Sequence, residues 1–262
     1  MRLPGTVASF IFLLWLCGCG GSSSNPIPNP NAPQFTIASG DWSLPLLRSV
    51  SPPSLFFAGG FLTQSGAALS GTLHIIAFPC LDPFTDDLPV TGTVSGDTVT
   101  ISTTPLRGQV LTLSLHPSPG QSGDVVAMEG SGNLTGPCAV SGTITASLVP
   151  PINGVFKGTF NNNITGDLTA NLNQSGPDVR GFFHVSGNVT LSGSPCFTSA
   201  TIADSTIFGG TAFIDLDTDS GTATLVADHV VSATVPEELI STLLINSGPC
   251  ANQSGLVFLK KQ

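Results

Sequence analysis

The chain repeats itself, and the repeat limits what it can fold into. Leu62-Thr63-Gln64-Ser65-Gly66-Ala67-Ala68-Leu69-Ser70-Gly71-Thr72-Leu73-His74 lines up without a gap against Leu172-Asn173-Gln174-Ser175-Gly176-Pro177-Asp178-Val179-Arg180-Gly181-Phe182-Phe183-His184. Nearly the same offset pairs Gly40-Asp41-Trp42 with Gly154-Val155-Phe156 and Gly136-Pro137-Cys138 with Gly248-Pro249-Cys250. Cys80 meets Cys196 after a short insertion. Agreement in order and spacing across a whole unit is the mark of tandem duplication, and two copies are too few for a solenoid. The join falls near Pro150-Pro151, which predicts two similar domains, 35–150 and 151–262.

Within each unit the hydrophobic period is two. Leu111, Leu113 and Leu115 alternate with Thr112, Ser114 and His116, and Ile144, Ala146 and Leu148 alternate with Thr143, Thr145 and Ser147, the pattern of half-buried strands. Gly-rich turns such as Val94-Ser95-Gly96-Asp97 and Asp219-Ser220-Gly221 recur at about ten residues, the spacing of an antiparallel meander. Only 9% of residues are charged, so Ser and Thr take the solvent face. About eight strands are predicted in the first unit: 42–47, 55–63, 69–78, 90–95, 98–103, 110–116, 125–133 and 139–149. One helix is expected, where Thr234-Val235-Pro236-Glu237 has a capping-box pattern ahead of Leu239, Ile240, Leu243 and Leu244. The predicted fold is all-β, two tandem antiparallel meander β-barrels, with β-sandwiches as the alternative.

If the strands run up and down in order, the third and the seventh end at the same rim. Cys80 follows one and Cys138 the other, so a bridge between them is permissible, and Cys196 with Cys250 is its copy. Of the three pairings that four cysteines allow, duplication favours the one within each repeat. Such bridges imply an oxidising compartment, and each would contribute on the order of 4 kcal/mol by the chain-entropy model. Metal binding is the competing use of cysteine, but no two of the four lie close in sequence and no His cluster accompanies them.

The amino terminus carries the targeting information. Arg2 precedes an apolar run from Thr6 to Leu16, and Leu16-Cys17-Gly18-Cys19 opens onto Gly20-Gly21-Ser22-Ser23-Ser24. The run is shorter than the roughly 20 residues that span a bilayer and reads as a cleaved signal. The tetrapeptide resembles the bacterial lipobox. That resemblance implies a signal peptide over 1–18, acylation of Cys19 as the first mature residue, and a lipid anchor. Gly20, where inner-membrane lipoproteins often carry Asp, implies the outer membrane, with either its periplasmic or its surface face open. The Gly, Ser, Asn and Pro of 19–34 cannot bury enough surface to offset their ordering entropy and read as a flexible tether.

Units of about 110 residues with a Gly-x-Trp-like start, a Gln-Ser-Gly hairpin and a meander resemble the small barrels of the lipocalin and avidin superfamily. The resemblance implies either an interior apolar ligand or, as in streptavidin-like protease inhibitors, action through the outer surface. Avidin-type biotin binding leans on several Trp and Tyr. This chain has no Tyr, and Trp42 is the only Trp beyond the signal.

Few constellations suggest chemistry. Asp215, Asp217 and Asp219 have the spacing of a calcium loop, but Gly221 comes one position late and Val226 stands where a bidentate Glu is wanted; a hairpin with outward carboxylates is the better reading. Asp82, Asp86 and Asp87 follow Cys80 and are the candidate rim recognition loop. His74 and His184 align as equivalents, and alternation turns both outward, with Val179, Gly181, Phe183 and Val185 inward in the second copy, which fits surface or inter-domain packing. No Gly-x-Ser-x-Gly elbow and no phosphate-binding loop is present, so no catalytic, metal or cofactor residue is assigned and an enzyme is not expected. Net charge is −9, or −10 once Arg2 is lost, and no basic stripe meets nucleic acid. The same acidity argues against wide contact with anionic lipid, leaving the anchor as the membrane attachment. Two expectations follow. One is a lipid-anchored, non-enzymatic module binding a small apolar ligand or peptide, with a cavity lined by residues such as Phe57, Leu73, Leu113 and Phe183. The other is a structural or interaction lipoprotein with solid barrels, acting on an envelope protein as an inhibitor or assembly partner.

Overall fold

A computed structural model describes residues 33–48, 55–76, 81–82, 84–118, 123–160, 164–230 and 237–262. Cys19 and the 1–32 segment that holds the signal and most of the tether lie outside these residues. The fold is all-β. Strands β1 (Gly40–Arg48), β2 (Leu55–Ser65), β3 (Ala68–Ile76), β4 (Leu88–Ser95), β5 (Thr98–Thr103), β6 (Val110–Pro117), β7 (Ala127–Thr135) and β8 (Val140–Val149) form one closed antiparallel barrel. A second consists of β9 (Asn153–Thr159), β10 (Asp167–Ser175), β11 (His184–Ser192), β12 (Ser199–Phe208), β13 (Thr211–Thr218), β14 (Gly221–Val230), β15 (Glu238–Ile245) and β16 (Ser254–Lys261). Each strand pairs with the next in sequence, and β1–β8 and β9–β16 close the rings. Closure leaves no unpaired edge, and both units are meander barrels rather than sandwiches.

The registers bear out the duplication and correct one part of it. Gly40 faces Leu62 and Trp42 faces Gly60 in the first barrel, as Gly154 faces Leu172 and Phe156 faces Ala170 in the second. Beyond Ser175 the copies part. Leu62 faces Gly71, whereas Leu172 faces Gly187, six positions beyond the Gly181 of the gapless alignment. The second copy carries an insertion, and 176–183 form a loop where the first has a tight turn. His74, opposite Gly59, therefore corresponds to Thr190, opposite Thr169, and not to His184. The shared Gly-x-x-His is coincidental. Val179 does not point inward: it is fully exposed on the inserted loop, while Phe183 and Val185 do join the core.

The expected helix is also corrected. Residues 231–236, which include most of the capping-box pattern, lie outside the described residues, but Leu239 to Leu244 belong to strand β15. Leu239 and Leu243 point inward and Ile240 and Leu244 outward. Apolar side chains on both faces of a strand mimic a helical stripe.

Both interiors are filled. Trp42, Leu44, Leu46, Leu62, Leu73 and Leu113 pack in the first barrel, and Phe156, Leu168, Ile214, Leu225 and Leu259 in the second. The ends are closed too. Buried Ile37 and Ile152 cover equivalent ends, each donating its N–H to the side chain of an equivalent glutamine, Gln64 or Gln174, at 2.7 Å. Leu81 and Leu106 cover the far end of the first barrel, and Phe160, Ile164 and Phe197 that of the second. Phe57 is not a lining residue: it lies on the outside, 40% exposed. The Cys196–Cys250 disulfide joins the loops after β11 and β15, with S–S 2.02 Å. Cys138 is also disulfide-bonded, and Cys80, its expected partner, lies outside the described residues.

One belt of outward positions on the first barrel is short and uncharged. Thr63, Ser70, Thr91, Ser102, Thr112, Asn133 and Ser141 form one belt in register from β2 to β8. A bilayer-spanning barrel needs the reverse, apolar outside and polar within.

Candidate functional site

The features that sequence singled out converge on the junction between the barrels. The end of the second barrel that holds Ile152 abuts the β1–β3 wall of the first. Gly59 and Gly209 meet backbone to backbone: a Cβ on Gly59 would lie 2.3 Å from the Cα of Gly209. Gly209 has φ +59° and Gly210 φ +84°, conformations that glycine adopts without steric cost. Their N–H groups donate to the two carboxylate oxygens of buried Asp41, at 2.6 and 3.1 Å. Burial pushes the Asp41 carboxyl up to about 6, against the opposing pull of those two N–H groups.

The inserted loop completes the junction. Asp178 accepts from the N–H groups of Arg180 and Phe182 at 2.8 and 3.0 Å, so one carboxylate shapes the turn. Arg180 then reaches the first barrel, forming a forked pair with Asp87 through Nε and Nη2, the shortest contact 2.6 Å, and donating to the Phe84 carbonyl at 2.7 Å. Phe182 stacks on the fully buried His74 at 3.8 Å between centroids, and His74 Nε2 lies 3.2 Å from the Arg180 carbonyl oxygen. Phe208 and Phe213 continue the cluster to Phe84, and Phe61 of the first barrel packs against the second core beside Phe183. The outward turn expected of His74 is met, and its role is inter-barrel packing. His184 lies near Asp178, at 3.3 Å, within its own barrel.

The candidate rim loop holds its acids in internal contacts. Asp82 accepts from the Phe84 N–H at 2.9 Å, Asp86 accepts from the Asp82 N–H and pairs with Arg107, both at 2.8 Å, and Asp87 takes Arg180. Asp215, Asp217 and Asp219 lie along an ordinary hairpin, β13–β14, the first two pointing outward. Among the described residues no group of three or more His, Cys, Asp or Glu could hold a metal ion.

A groove of about 320 Å³ runs along the junction, lined by Ser43, Ser147, Leu148, Val149, Pro150, Gly209 and His229. The His229 side chain is wholly buried while the residue as a whole keeps some exposure, so its main chain, not its ring, borders the groove. Nε2 lies 2.9 Å from Glu237, which also binds Lys261 at 2.7 Å, and the Pro150 main chain lies beside the ring. Burial pushes the ring below its ordinary 6.5, against the opposing Glu237 charge. Ser43 and Ser147 border the same groove.

The sequence shows a short insertion before Cys196 but not its place, which strand register puts at 176–183, and it does not show Gly209-Gly210 facing Asp41, a contact spanning 168 positions. No family model, no curated protein and no solved structure matches the chain.

Proposed function

We propose that the protein is a non-enzymatic component of the bacterial cell envelope, lipid-anchored through Cys19 in the outer membrane, that acts through the outer surfaces of two solid, rigidly joined barrels. Of the two expectations raised by the sequence, this is the interaction protein rather than the carrier. The observation that supports it is the filling of both interiors and the closing of their ends by Ile37, Ile152, Leu81, Phe160, Ile164 and Phe197. A carrier needs a concave site of about 300 Å³ or more, and the groove of about 320 Å³ at the junction lies outside both barrels. The forked Asp87–Arg180 pair and the aromatic cluster fix one barrel on the other, so surfaces on both are presented in a single geometry. Fixed geometry suits an assembly partner, because it lowers the ordering cost of binding.

The test combines metabolic labelling with alkyne-palmitate, fractionation of the envelope, and native mass spectrometry of the extracted full chain. Label in the wild type but not in Cys19→Ala, with no small-molecule adduct, is the expected result. An adduct at one per chain would overturn the solid-barrel reading, and an unlabelled protein released with the soluble periplasm would overturn the anchor.

A further inference from the structure

Duplication supplies an internal reference for the outer walls. The closing seams correspond, Trp42 facing Leu148 as Phe156 faces Lys261. Counting outward from there, the paired Ser43 and Ser147 of the first barrel correspond to the paired Lys157 and Lys260 of the second. On the next strands Glu129 opposite Thr145 corresponds to Ile240 opposite Phe258, Ser131 opposite Thr143 to Thr242 opposite Leu256, and Asn133 opposite Ser141 to Leu244 opposite Ser254. Ser114 corresponds to Val226.

One wall is therefore polar in the first barrel and apolar in the second. Ile240, Leu244 and Phe258 are each more than a third exposed, and Val226 and Leu256 are partly so. Exposed apolar residues scattered singly need no explanation, but a contiguous patch on one wall marks a contact. Lysine is used nowhere else: Lys157, Lys260 and Lys261 are the only three in the chain, and all lie on this seam. Glu237 binds Lys261, while Lys157 and Lys260 face each other and solvent, with Glu238 on the other side of Lys260. The other acids at the border are Asp228, opposite Ile240, and Asp215, opposite Thr224 beside Leu244; each accepts a hydrogen bond from a threonine, Thr211 and Thr224 respectively.

We propose that this wall rests on a membrane surface bearing anionic phospholipid headgroups. Ile240, Leu244, Leu256 and Phe258 enter the interfacial layer, and Lys157 and Lys260 meet phosphate at its border. Apolar side chains flanked by long basic ones are the chemistry of interfacial binding. A second copy is the poorer occupant, because each chain carries a net charge of −9. Net charge disfavours wide lipid contact, but it is a whole-chain quantity and this seam is a local exception. The inference rests on the anchored reading only for bringing a membrane within reach.

The full chain, extracted from the envelope and reconstituted in vesicles of three parts phosphatidylethanolamine to one part photoactivatable phosphatidylglycerol, tests it. Cross-links should map to Glu238–Ile245 and Ser254–Lys261 and fall about tenfold in the double variant Lys157→Glu/Lys260→Glu. Ile240→Ser/Phe258→Ser should lower them as well, so that a folding failure in one variant leaves the other informative. Lipid cross-links elsewhere, insensitivity to both double variants, or, with a lysine-reactive bifunctional reagent in the same vesicles, links joining two copies through this wall would each overturn the proposal. Flotation of the vesicles scores the anchor separately: a chain that does not float refutes the anchor, while cross-links in the unwashed mixture still score the wall.

Discussion

The carboxylate of Asp41, on the first barrel, accepts a hydrogen bond from the backbone N–H of Gly209, on the second, at 2.6 Å. This buried contact ties stability to pH. The folded-state value of about 6 lies above the ordinary 3.8, so between those values the folded protein keeps a proton that the unfolded chain releases. The stability this group supplies is complete below about pH 4 and is lost as pH rises through 6, amounting to as much as about 3 kcal/mol. Thermal melts from pH 4 to 7 should show that decline, and Asp41→Asn should flatten it. A wild-type profile rising across this range would refute the assignment.

Gly59 and Gly209 make the second prediction. Gly59→Ala puts a methyl into the Gly209 backbone without entering either core. Overpacking of this kind costs about 1–3 kcal/mol, and here the cost falls on the junction alone. Calorimetry should show one transition for the wild type and two, one per barrel, for the variant. A single unshifted transition in Gly59→Ala would show that the barrels do not depend on this contact.

Phe182 carries the third. It is 4% exposed and stacks on His74 across the junction. Phe182→Ala should cost about 3 kcal/mol in urea unfolding. In a double-mutant cycle with His74→Ala the coupling should be about 1 kcal/mol. Zero coupling would mean that Phe182 acts only within its own barrel.

Local patterns make the barrels legible in the sequence itself. Alternation in Leu111-Thr112-Leu113-Ser114-Leu115 and Gly turns at regular spacing each concern a few neighbouring residues, and closure adds only the β1–β8 and β9–β16 seams. The junction was not legible, because its partners are far apart: Asp41 with Gly209, Asp87 with Arg180, His74 with Phe182. The alignment of His74 with His184 failed for a related reason. A six-residue insertion happened to place Gly181 and His184 at the spacing of Gly71 and His74, and only strand register separates coincidence from equivalence. Similarly, β15 read as a helix because Ile240 and Leu244 are apolar and outward, where a solvated strand would have been polar.

Gln64 and Gln174 provide the last prediction, in which each copy is a control for the other. Their side-chain oxygens take the N–H of Ile37 and of Ile152, in each case where the chain enters a barrel and an isoleucine covers its end. Leucine at either position fills similar space but leaves a buried N–H without an acceptor, a loss of about 1–3 kcal/mol. Gln64→Leu should destabilise the first barrel and Gln174→Leu the second, by similar amounts. Hydrogen exchange should locate the change, with faster exchange at the Ile37 amide in one variant and at the Ile152 amide in the other. The two clamps share no partner, so in the double variant the losses should add to within about 0.5 kcal/mol. A loss confined to one variant would mean that only one copy still uses the glutamine to hold its plug. Strong non-additivity would mean that the junction carries strain from one barrel end to the other.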